Sequence, residues 1–241
     1  MSALPAPVRL PDWVDPSAVF AAVADGGEHV FWLDAGPGAD RGWSWVGTGT
    51  VEEHPERVRG TDCSSHAPLA EGGRFRGGWV GWLGYEDAAA RAGAPRAASD
   101  TTVPSERWLR VDHLIAFDHA AREVWVFSPD QGAFVPPDRE AAPPDRVEAA
   151  EPVPVRARHE PGEYAALVER CRDAIREGDA YQLCLTTRFE TPVAVDPVAA
   201  FGRLRSSTPA HHGGLIVSGV HALASASPER FLEVADGLVR T

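Results

Sequence analysis

The chain has 241 residues, of which 44% are hydrophobic, and it carries a formal net charge of -12. This length and hydrophobic content suffice for a sizeable buried core, and the acidic balance argues against a nucleic acid or an anionic membrane surface as a partner. All 23 basic residues are arginine. Without lysine, the chain by itself cannot provide a P-loop nucleotide site or form a Schiff base.

Cysteine usage and the N-terminus predict the cellular compartment. Cys63, Cys171 and Cys184 are odd in number and lack C-x-x-C spacing, which argues against a disulfide framework and a zinc site. The N-terminus has no apolar export segment, and no apolar run approaches the roughly 20 residues of a membrane span. We therefore expect a cytoplasmic protein.

The first half of the chain predicts an antiparallel sheet. Apolar or alternating runs lie at residues 29–34, 43–48, 74–85, 110–118 and 123–128, separated by turns that contain Gly or Asp. The stretch that follows is rich in Pro, Ala and acidic residues and has no periodicity. We predict a β-rich domain at 1–135, a linker at 136–156 and the start of a second domain at 157–241.

The second half predicts two helices. The first begins near Pro161 and ends at Gly178, with one apolar face directed at the core. The second begins near Pro197 and buries Val198, Phe201 and Leu204. Between them, residues 181–190 alternate as in a strand packed on one side.

Further strands are predicted at the end of the chain, at 214–220, 222–225, 231–234 and 238–241. Asp236 and Gly237 separate the last two and are typical of a type I′ hairpin. Because the sequence stops inside this last strand, we expect the chain to be the N-terminal portion of a longer protein.

Three motifs stand out: GGWVGWLGYE at 77–86, GDAYQLCLTTRFE at 178–190 and SASPERFL at 225–232. Taken singly, each has an ordinary explanation. The first is a strand whose glycines allow close packing, the second a helix end followed by a strand, and the third a polar turn. If that turn faced a cleft, Glu229 would suit general acid/base catalysis, since partial burial raises the pKa of a carboxyl group.

The adjacent imidazoles of His211 and His212 are a candidate metal site. Neighbouring residues of a strand point to opposite faces, so the two imidazoles cannot readily share one ion. We expect no metal site in this chain.

In this order and at these separations, the three motifs resemble the component I family of aminodeoxychorismate and anthranilate synthases. The resemblance covers nearly the whole chain and implies an α+β fold of large antiparallel sheets flanked by helices. Residues 85–87, 108–119 and 184–186 are more similar to the aminodeoxychorismate branch.

The resemblance implies an enzyme that replaces a hydroxyl of chorismate with ammonia from a glutamine amidotransferase, in p-aminobenzoate and folate biosynthesis. It gives Glu229 the acid/base role, and it places the lysine nucleophile and the Mg²⁺ ligands beyond residue 241. The chain alone is therefore expected to be inactive. Two alternatives remain: an anthranilate synthase component I of tryptophan biosynthesis, and a non-catalytic module that docks an amidotransferase.

Some members of this family have a tryptophan pocket. The equivalent positions here are Ala35, Trp43, Ser44, Trp45, Val46, His211, His212 and Gly213. Alanine replaces the usual serine, and histidines stand where a proline and an aromatic residue are usual. The indoles of Trp43 and Trp45 are large enough to fill such a pocket themselves. These departures argue against tryptophan as a ligand.

Overall fold

The computed structural model describes residues 4–61, 72–95, 102–129, 153–235 and 237–241. The helices in these residues are α1 (Pro16–Ala24), α2 (Pro55–Arg59), α3 (Tyr85–Arg91), α4 (Pro161–Glu177) and α5 (Pro197–Ser207). The strands are β1 (Val8–Arg9), β2 (His29–Asp34), β3 (Trp43–Val51), β4 (Trp79–Leu83), β5 (Glu106–Asp118), β6 (Glu123–Phe127), β7 (Arg156–Ala157), β8 (Phe189–Glu190), β9 (His212–Ser218), β10 (His221–Ser227), β11 (Glu233–Ala235) and β12 (Leu238–Arg240). None of these helices is long and apolar enough to cross a membrane.

The chain divides into two compact units, one of Met1–Val147 with Pro197–Thr241 and the other of Glu148–Asp196. Strands β9 and β10 belong to the first unit, in the same sheet as β1 to β6. The predicted linker lies mostly outside the described residues, so the domain boundaries at 135 and 157 stay a prediction.

One eight-stranded sheet dominates the first unit. Its strand order is β1-β6-β5-β3-β2-β9-β10, with β4 paired to β5, and every pairing is antiparallel. This confirms the predicted antiparallel sheet and its α+β class. Strand β2 matches the predicted range, and it lies between β3 and β9, which come from opposite ends of the unit.

Both faces of the sheet carry an apolar cluster. Val30 and Trp32 of β2 pack on one face with Phe20 of α1 and Phe201 of α5. Phe31, between them in sequence, packs on the other face with Leu114 and other residues of β5 and β6. Since strand side chains alternate between faces, a run that is apolar at every position is buried on both sides. This explains the unbroken apolar stretch of β2.

Helices α1 and α5 cover the first face. Asp15 caps α1 by accepting a hydrogen bond from the backbone N–H of Ser17 at 2.9 Å, and Pro16 occupies the first helical turn. The ring of Trp32 lies 5.4 Å from Phe20 and 5.4 Å from Phe201, measured between centroids. As predicted, α5 buries Phe201, whereas Val198 and Leu204 are only partly buried.

The second unit corrects two expectations. Helix α4 has the predicted ends, with a capping box from Glu160 and Glu163 and a left-handed Gly178, but none of its residues is buried. The predicted strand 181–190 is reduced to β8, because the only strand paired with it among the described residues is β7, of two residues. Without a longer neighbour, the alternating pattern does not form a strand.

Glycines shorten two other predicted strands. Gly77 and Gly78 have φ angles of +122° and +105°, so β4 begins only at Trp79. A Cβ on Gly81 would lie 2.0 Å from the carbonyl oxygen of Arg107, which supports the interpretation that this motif packs closely on a neighbouring strand. Gly219, at φ +61°, turns β9 into β10 and leaves Val220 outside either strand.

The last two strands form the predicted hairpin, β11 with β12. Gly237 has a φ of +69°, the left-handed conformation that a type I′ turn requires. Asp236 lies outside the described residues.

Candidate functional site

A cavity of about 820 Å³ lies where the end of β2 meets the starts of β3 and β9. The sheet register brings these segments together, because Leu33 pairs with Trp45 on one side and with Gly214 on the other. Residues from three distant parts of the sequence therefore share one site.

Six of the eight predicted pocket positions line this cavity, namely Ala35, Trp43, Trp45, His211, His212 and Gly213. The other two, Ser44 and Val46, do not. They alternate with the two tryptophans along β3, and their side chains are fully buried on the opposite face of the sheet. The structure thus brings together the segments that the sequence indicated, but only every second residue of β3 faces the cavity.

One wall of the cavity is aromatic. The rings of Trp43 and Trp45 stack at 6.3 Å with an interplanar angle of 15°, and Phe75 meets Trp45 edge-on at 6.0 Å. The stacked indoles line the cavity and leave it open, whereas the sequence led us to expect them to fill it. Within the described residues, the buried Nε1 of Trp45 has no hydrogen-bond partner.

The polar lining of the cavity is mainly cationic or neutral. Arg41, Arg74 and Arg230 contribute guanidinium groups, and two carboxylates, Asp34 and Glu233, oppose them. Both carboxylates already have arginine partners, since Arg205 pairs with Asp34, and Arg230 pairs with Glu233. Few acceptors therefore remain for a ligand cation.

The pKa of His212, in the same cavity, is lowered by burial first, and then by the charges of Arg230 and His211. At neutral pH its imidazole is uncharged. It can offer one donor and one acceptor to a ligand.

A buried network of polar side chains lies next to the cavity, at the end of β2. Arg205 Nε donates to Asp34 Oδ2 at 2.7 Å and its Nη2 donates to the carbonyl oxygen of Gly36 at 3.3 Å. The side chains of Arg205 and Asp34 are only 13% and 2% exposed. Arg205 also lies over the ring of Trp32, with its Cζ 4.9 Å from the centroid. The ion pair therefore fixes the end of β2 against α5.

Ser44 and His119 complete this network. The backbone N–H of Ala35 donates to Ser44 Oγ at 3.0 Å, and Ser44 Oγ lies 2.9 Å from His119 Nε2. The pKa of His119 is lowered, and burial is the main cause. A hydrogen bond to the backbone of Ala39 and the nearby carboxylates of Asp34 and Asp15 act in the opposite direction, but they do not outweigh burial. A neutral imidazole can accept from the Ser44 hydroxyl through Nε2, whereas a protonated imidazole would donate through Nε2 to Ser44 Oγ, whose hydroxyl could then turn to Asp34.

The loop after β2 also borders a second cavity, of about 240 Å³, lined by residues 35–41 and 209–211. Gly36 in this loop has a φ of +107°, and a Cβ there would lie 2.9 Å from the carbonyl oxygen of Ala210. A larger residue would separate the loop from the segment that carries His211.

Glu229 lies in the irregular segment between β10 and β11 and is exposed. Its backbone carbonyl accepts a hydrogen bond from Ser227 Oγ at 2.9 Å. Arg230 pairs with Glu233, and the side chain of Glu229 is exposed to solvent, which is compatible with a polar turn. Glu229 lines neither cavity. Its role as an acid therefore stays a prediction.

Three residues of the buried network had no role assigned from the sequence. Asp34 ends an apolar strand, His119 directly follows another, and Arg205 lies on the helix that buries Phe201. In the sequence, each of these three polar residues stands next to apolar residues of a predicted buried strand or helix, which indicates that it is itself close to the core. Their mutual contacts could not be read from that signal, because the residues are far apart in sequence.

Across the described ranges, no three His, Cys, Asp or Glu residues are grouped as a metal ion would require. We therefore assign no Mg²⁺ ligand to these residues.

A model of the chorismate binding enzyme family matches residues 23–241. The chain belongs to this family. It is 28% identical to an aminodeoxychorismate synthase of Streptomyces griseus over 93% of the chain and 37% of that protein. It is also 28% identical to an anthranilate synthase component 1 of Streptomyces coelicolor, over 96% of the chain and 52% of that protein. The predicted resemblance is confirmed, and these two relatives, which differ in product, have the same identity to the chain.

A solved structure, anthranilate synthase component I from Streptococcus pneumoniae, matches 99% of the chain and 54% of its own length, with a TM-score of 0.55 and 21% identity. At this identity the match shows the fold. The chain thus spans 37% to 54% of the length of these three proteins.

The buried ion pair gives a first prediction. Replacing Asp34 by Asn leaves the guanidinium of Arg205 buried without a counter-charge, so we expect the free energy of unfolding to fall by about 3 kcal/mol. Urea unfolding followed by circular dichroism measures this. The control is Arg9→Gln, which removes the partly exposed pair with Glu123 and should cost less than about 1 kcal/mol. Equal losses in the two variants would contradict this account.

His119 gives a second prediction, on pH. Because its pKa is lower in the folded state, the unfolded chain takes up the proton first as the pH falls below about 6.5, and stability declines. His119→Gln should remove up to about 1.4 kcal/mol per pH unit from this decline, which repeated urea titrations between about pH 7.5 and 5.5 would measure. A variant with the same pH dependence as the original chain would show that His119 does not titrate in this way. His212 should contribute in the same direction.

Proposed function

We propose that the chain acts in the amination of chorismate to 4-amino-4-deoxychorismate, as the N-terminal part of component I. Ammonia would come from a glutamine amidotransferase. The observation that carries the proposal is the family match over residues 23–241. The named activity of the Streptomyces griseus relative and the motifs at 85–87 and 184–186 support the choice of product.

Glu229 is the residue of this chain that we propose as the acid. Chorismate loses a hydroxyl group, and protonation lets it leave as water while the C–O bond breaks and a C–N bond forms. The carboxylate of Glu229 is exposed and forms no hydrogen bond or ion pair with the rest of the described chain. It is therefore accessible to a substrate that approaches residues 225–232.

We propose that the amine nucleophile and the Mg²⁺ ligands are supplied by polypeptide other than residues 1–241. The chain contains no lysine, so an amine nucleophile has to come from elsewhere. The same holds for Mg²⁺ ligands, which the family resemblance requires. We accordingly propose that the chain alone does not turn over chorismate.

An anthranilate synthase component I is the second candidate. The Streptomyces coelicolor relative, as similar as the Streptomyces griseus protein, favours it, and identifying the product decides between them. A non-catalytic module that docks an amidotransferase is the third. That module would bind the amidotransferase in titration calorimetry yet show no dependence on Glu229 in any product assay.

We also infer that the 820 Å³ cavity does not hold tryptophan. The ammonium group of an amino acid needs acceptors, but Ala35 has no hydroxyl, and the carboxylates of Asp34 and Glu233 are paired with arginines. The guanidinium groups of Arg41 and Arg74 add unfavourable charge for a cation.

This inference is tested by restoring the residues that are usual in the family. The triple variant Ala35→Ser/His211→Pro/His212→Tyr should gain saturable binding of L-tryptophan in titration calorimetry, while the original chain shows none. The matched control Ser206→Ala changes an exposed serine on α5 and should behave like the original chain. Saturable binding by the original chain would refute the inference.

The proposed reaction is tested with the chain and a second polypeptide, the part of the Streptomyces griseus relative that follows the matched region. With chorismate, Mg²⁺ and ammonium, the chain alone should form no product, and the pair should form aminodeoxychorismate. Glu229→Gln should slow the pair by at least about 100-fold, because the leaving hydroxyl loses its acid. Chromatography with mass detection identifies the product.

The matched control is Glu177→Gln, which changes an exposed carboxylate on α4 and should leave the rate unchanged. Product from the chain alone, or full activity of Glu229→Gln, would overturn the proposal. Anthranilate as the product would favour the second candidate.

A further inference from the structure

The cavity of about 820 Å³ has the size and composition of a small-molecule site. Such sites are mostly apolar and carry a few polar groups that orient the ligand. Here the apolar part is the ring surface of Trp43, Trp45 and Phe75. The proposed reaction does not use this cavity, because Glu229 does not line it. A ligand of this cavity would therefore be bound apart from the proposed acid.

The aromatic wall of the cavity suits a flat ring. Trp43 and Trp45 are nearly parallel, with an interplanar angle of 15°, whereas Phe75 stands at 87° to Trp45. A planar ring beside these side chains can make the offset-stacked and edge contacts that aromatic pairs prefer. The Nε1 of Trp45 is buried, so this indole offers a ligand its ring surface and not a hydrogen-bond donor. We therefore expect the ligand to be aromatic.

The charge of the cavity lining is opposite in sign to that of the whole chain. The chain carries a formal net charge of -12, yet three arginines and only two carboxylates line the cavity. One of these carboxylates, Asp34, is paired with Arg205, which lies outside the lining. The other, Glu233, is paired with Arg230. An excess of positive charge in an otherwise acidic protein favours an anionic ligand at this place.

Arg41 is the cation that can bind such an anion directly. It is exposed in the loop between β2 and β3, and in the part of the chain that the structure describes its guanidinium has no hydrogen-bond or ion-pair partner. A guanidinium can donate two parallel hydrogen bonds to one carboxylate. The neutral imidazole of His212, in the same cavity, can donate one more. These groups favour a carboxylate as the charged part of the ligand.

We propose that this cavity binds a planar aromatic monocarboxylate without an ammonium group, with its ring against Trp43 and Trp45 and its carboxylate on Arg41. An ammonium group on the ligand would lie among arginines, and both carboxylates of the lining are already paired. The cavity therefore selects against α-amino acids while it accepts the corresponding acids that lack the amine. The proposal extends the inference that the cavity excludes tryptophan, and it does not depend on the proposed reaction.

The test uses probes that share an indole ring and differ in charge. Indole-3-propionate has a carboxylate alone, L-tryptophan has a carboxylate and an ammonium group, and tryptamine has an ammonium group alone. In titration calorimetry of the 241-residue chain near neutral pH, indole-3-propionate should bind saturably, and L-tryptophan and tryptamine should not. The methyl ester of indole-3-propionate keeps the ring but lacks the charge. It should bind at least about tenfold more weakly than the acid, because it loses the charged hydrogen bonds to Arg41.

Two variants test the two halves of the proposed site. Arg41→Gln removes the partner of the carboxylate and should weaken the binding of indole-3-propionate at least about tenfold. Phe75→Leu removes the ring that meets Trp45 edge-on and should also weaken it. The matched control is Arg170→Gln, which removes the same charge from an exposed arginine on α4 outside the cavity lining and should bind like the original chain. Thermal unfolding of each variant checks that the fold is retained.

Three results would overturn the proposal: indole-3-propionate fails to bind saturably, its methyl ester binds equally well, or Arg41→Gln binds like the original chain. Saturable binding of L-tryptophan with the affinity of indole-3-propionate would overturn both this proposal and the exclusion of tryptophan. The titrations contain no chorismate, so they leave the proposed reaction to its own assay. Failure of one proposal is thereby distinguished from failure of the other.

Discussion

A buried ion pair between Arg205 and Asp34 joins two parts of the chain that are 171 positions apart. Both side chains are largely excluded from water, so breaking the pair would leave a buried charge without its counter-charge. This requirement fixes α5 against the end of β2. Because residues 208–213 follow α5 and residues 35–42 follow β2, the same contact sets the distance between the two segments that line the cavity. The position of the two segments that line the cavity therefore depends on the ion pair between Arg205 and Asp34.

Successive side chains of β3 point to opposite faces of the sheet, so its tryptophans and Ser44 have different surroundings. Trp43 and Trp45 face the cavity, while Ser44 is buried and binds His119 and the backbone of Ala35. A slip of one residue in the pairing of β3 would exchange these two sets of side chains. The hydrogen bonds of Ser44 oppose such a slip, because they would be lost and their buried polar groups left without partners. The network therefore stabilises the register of the strand that supplies the aromatic wall.

Residues whose structure depends on local pattern were predictable. The range of β2 and the end of α4 at Gly178 follow from apolar runs and a glycine. The alternating stretch 181–190 has the pattern of a strand, but forming one requires a neighbour, and β7 provides only two residues. The cavity positions came from resemblance, and alternation excluded Ser44 and Val46. The roles of Asp34, Arg205 and His119 were not predictable, since a buried polar residue has no definite role until its distant partner is known.

The segment 230–233 connects the cavity lining to the β11–β12 hairpin. Arg230, Leu232 and Glu233 line the cavity, whereas Phe231, between them, is 86% exposed. In the sheet, apolar clusters on both faces hold β2 and β9 without any contribution from this segment. The segment therefore lies outside the apolar core of the sheet, although three of its four residues line the cavity. Glu229 immediately precedes this segment, so the residue proposed as the acid is one position from Arg230 in the cavity lining, although Glu229 does not line the cavity itself.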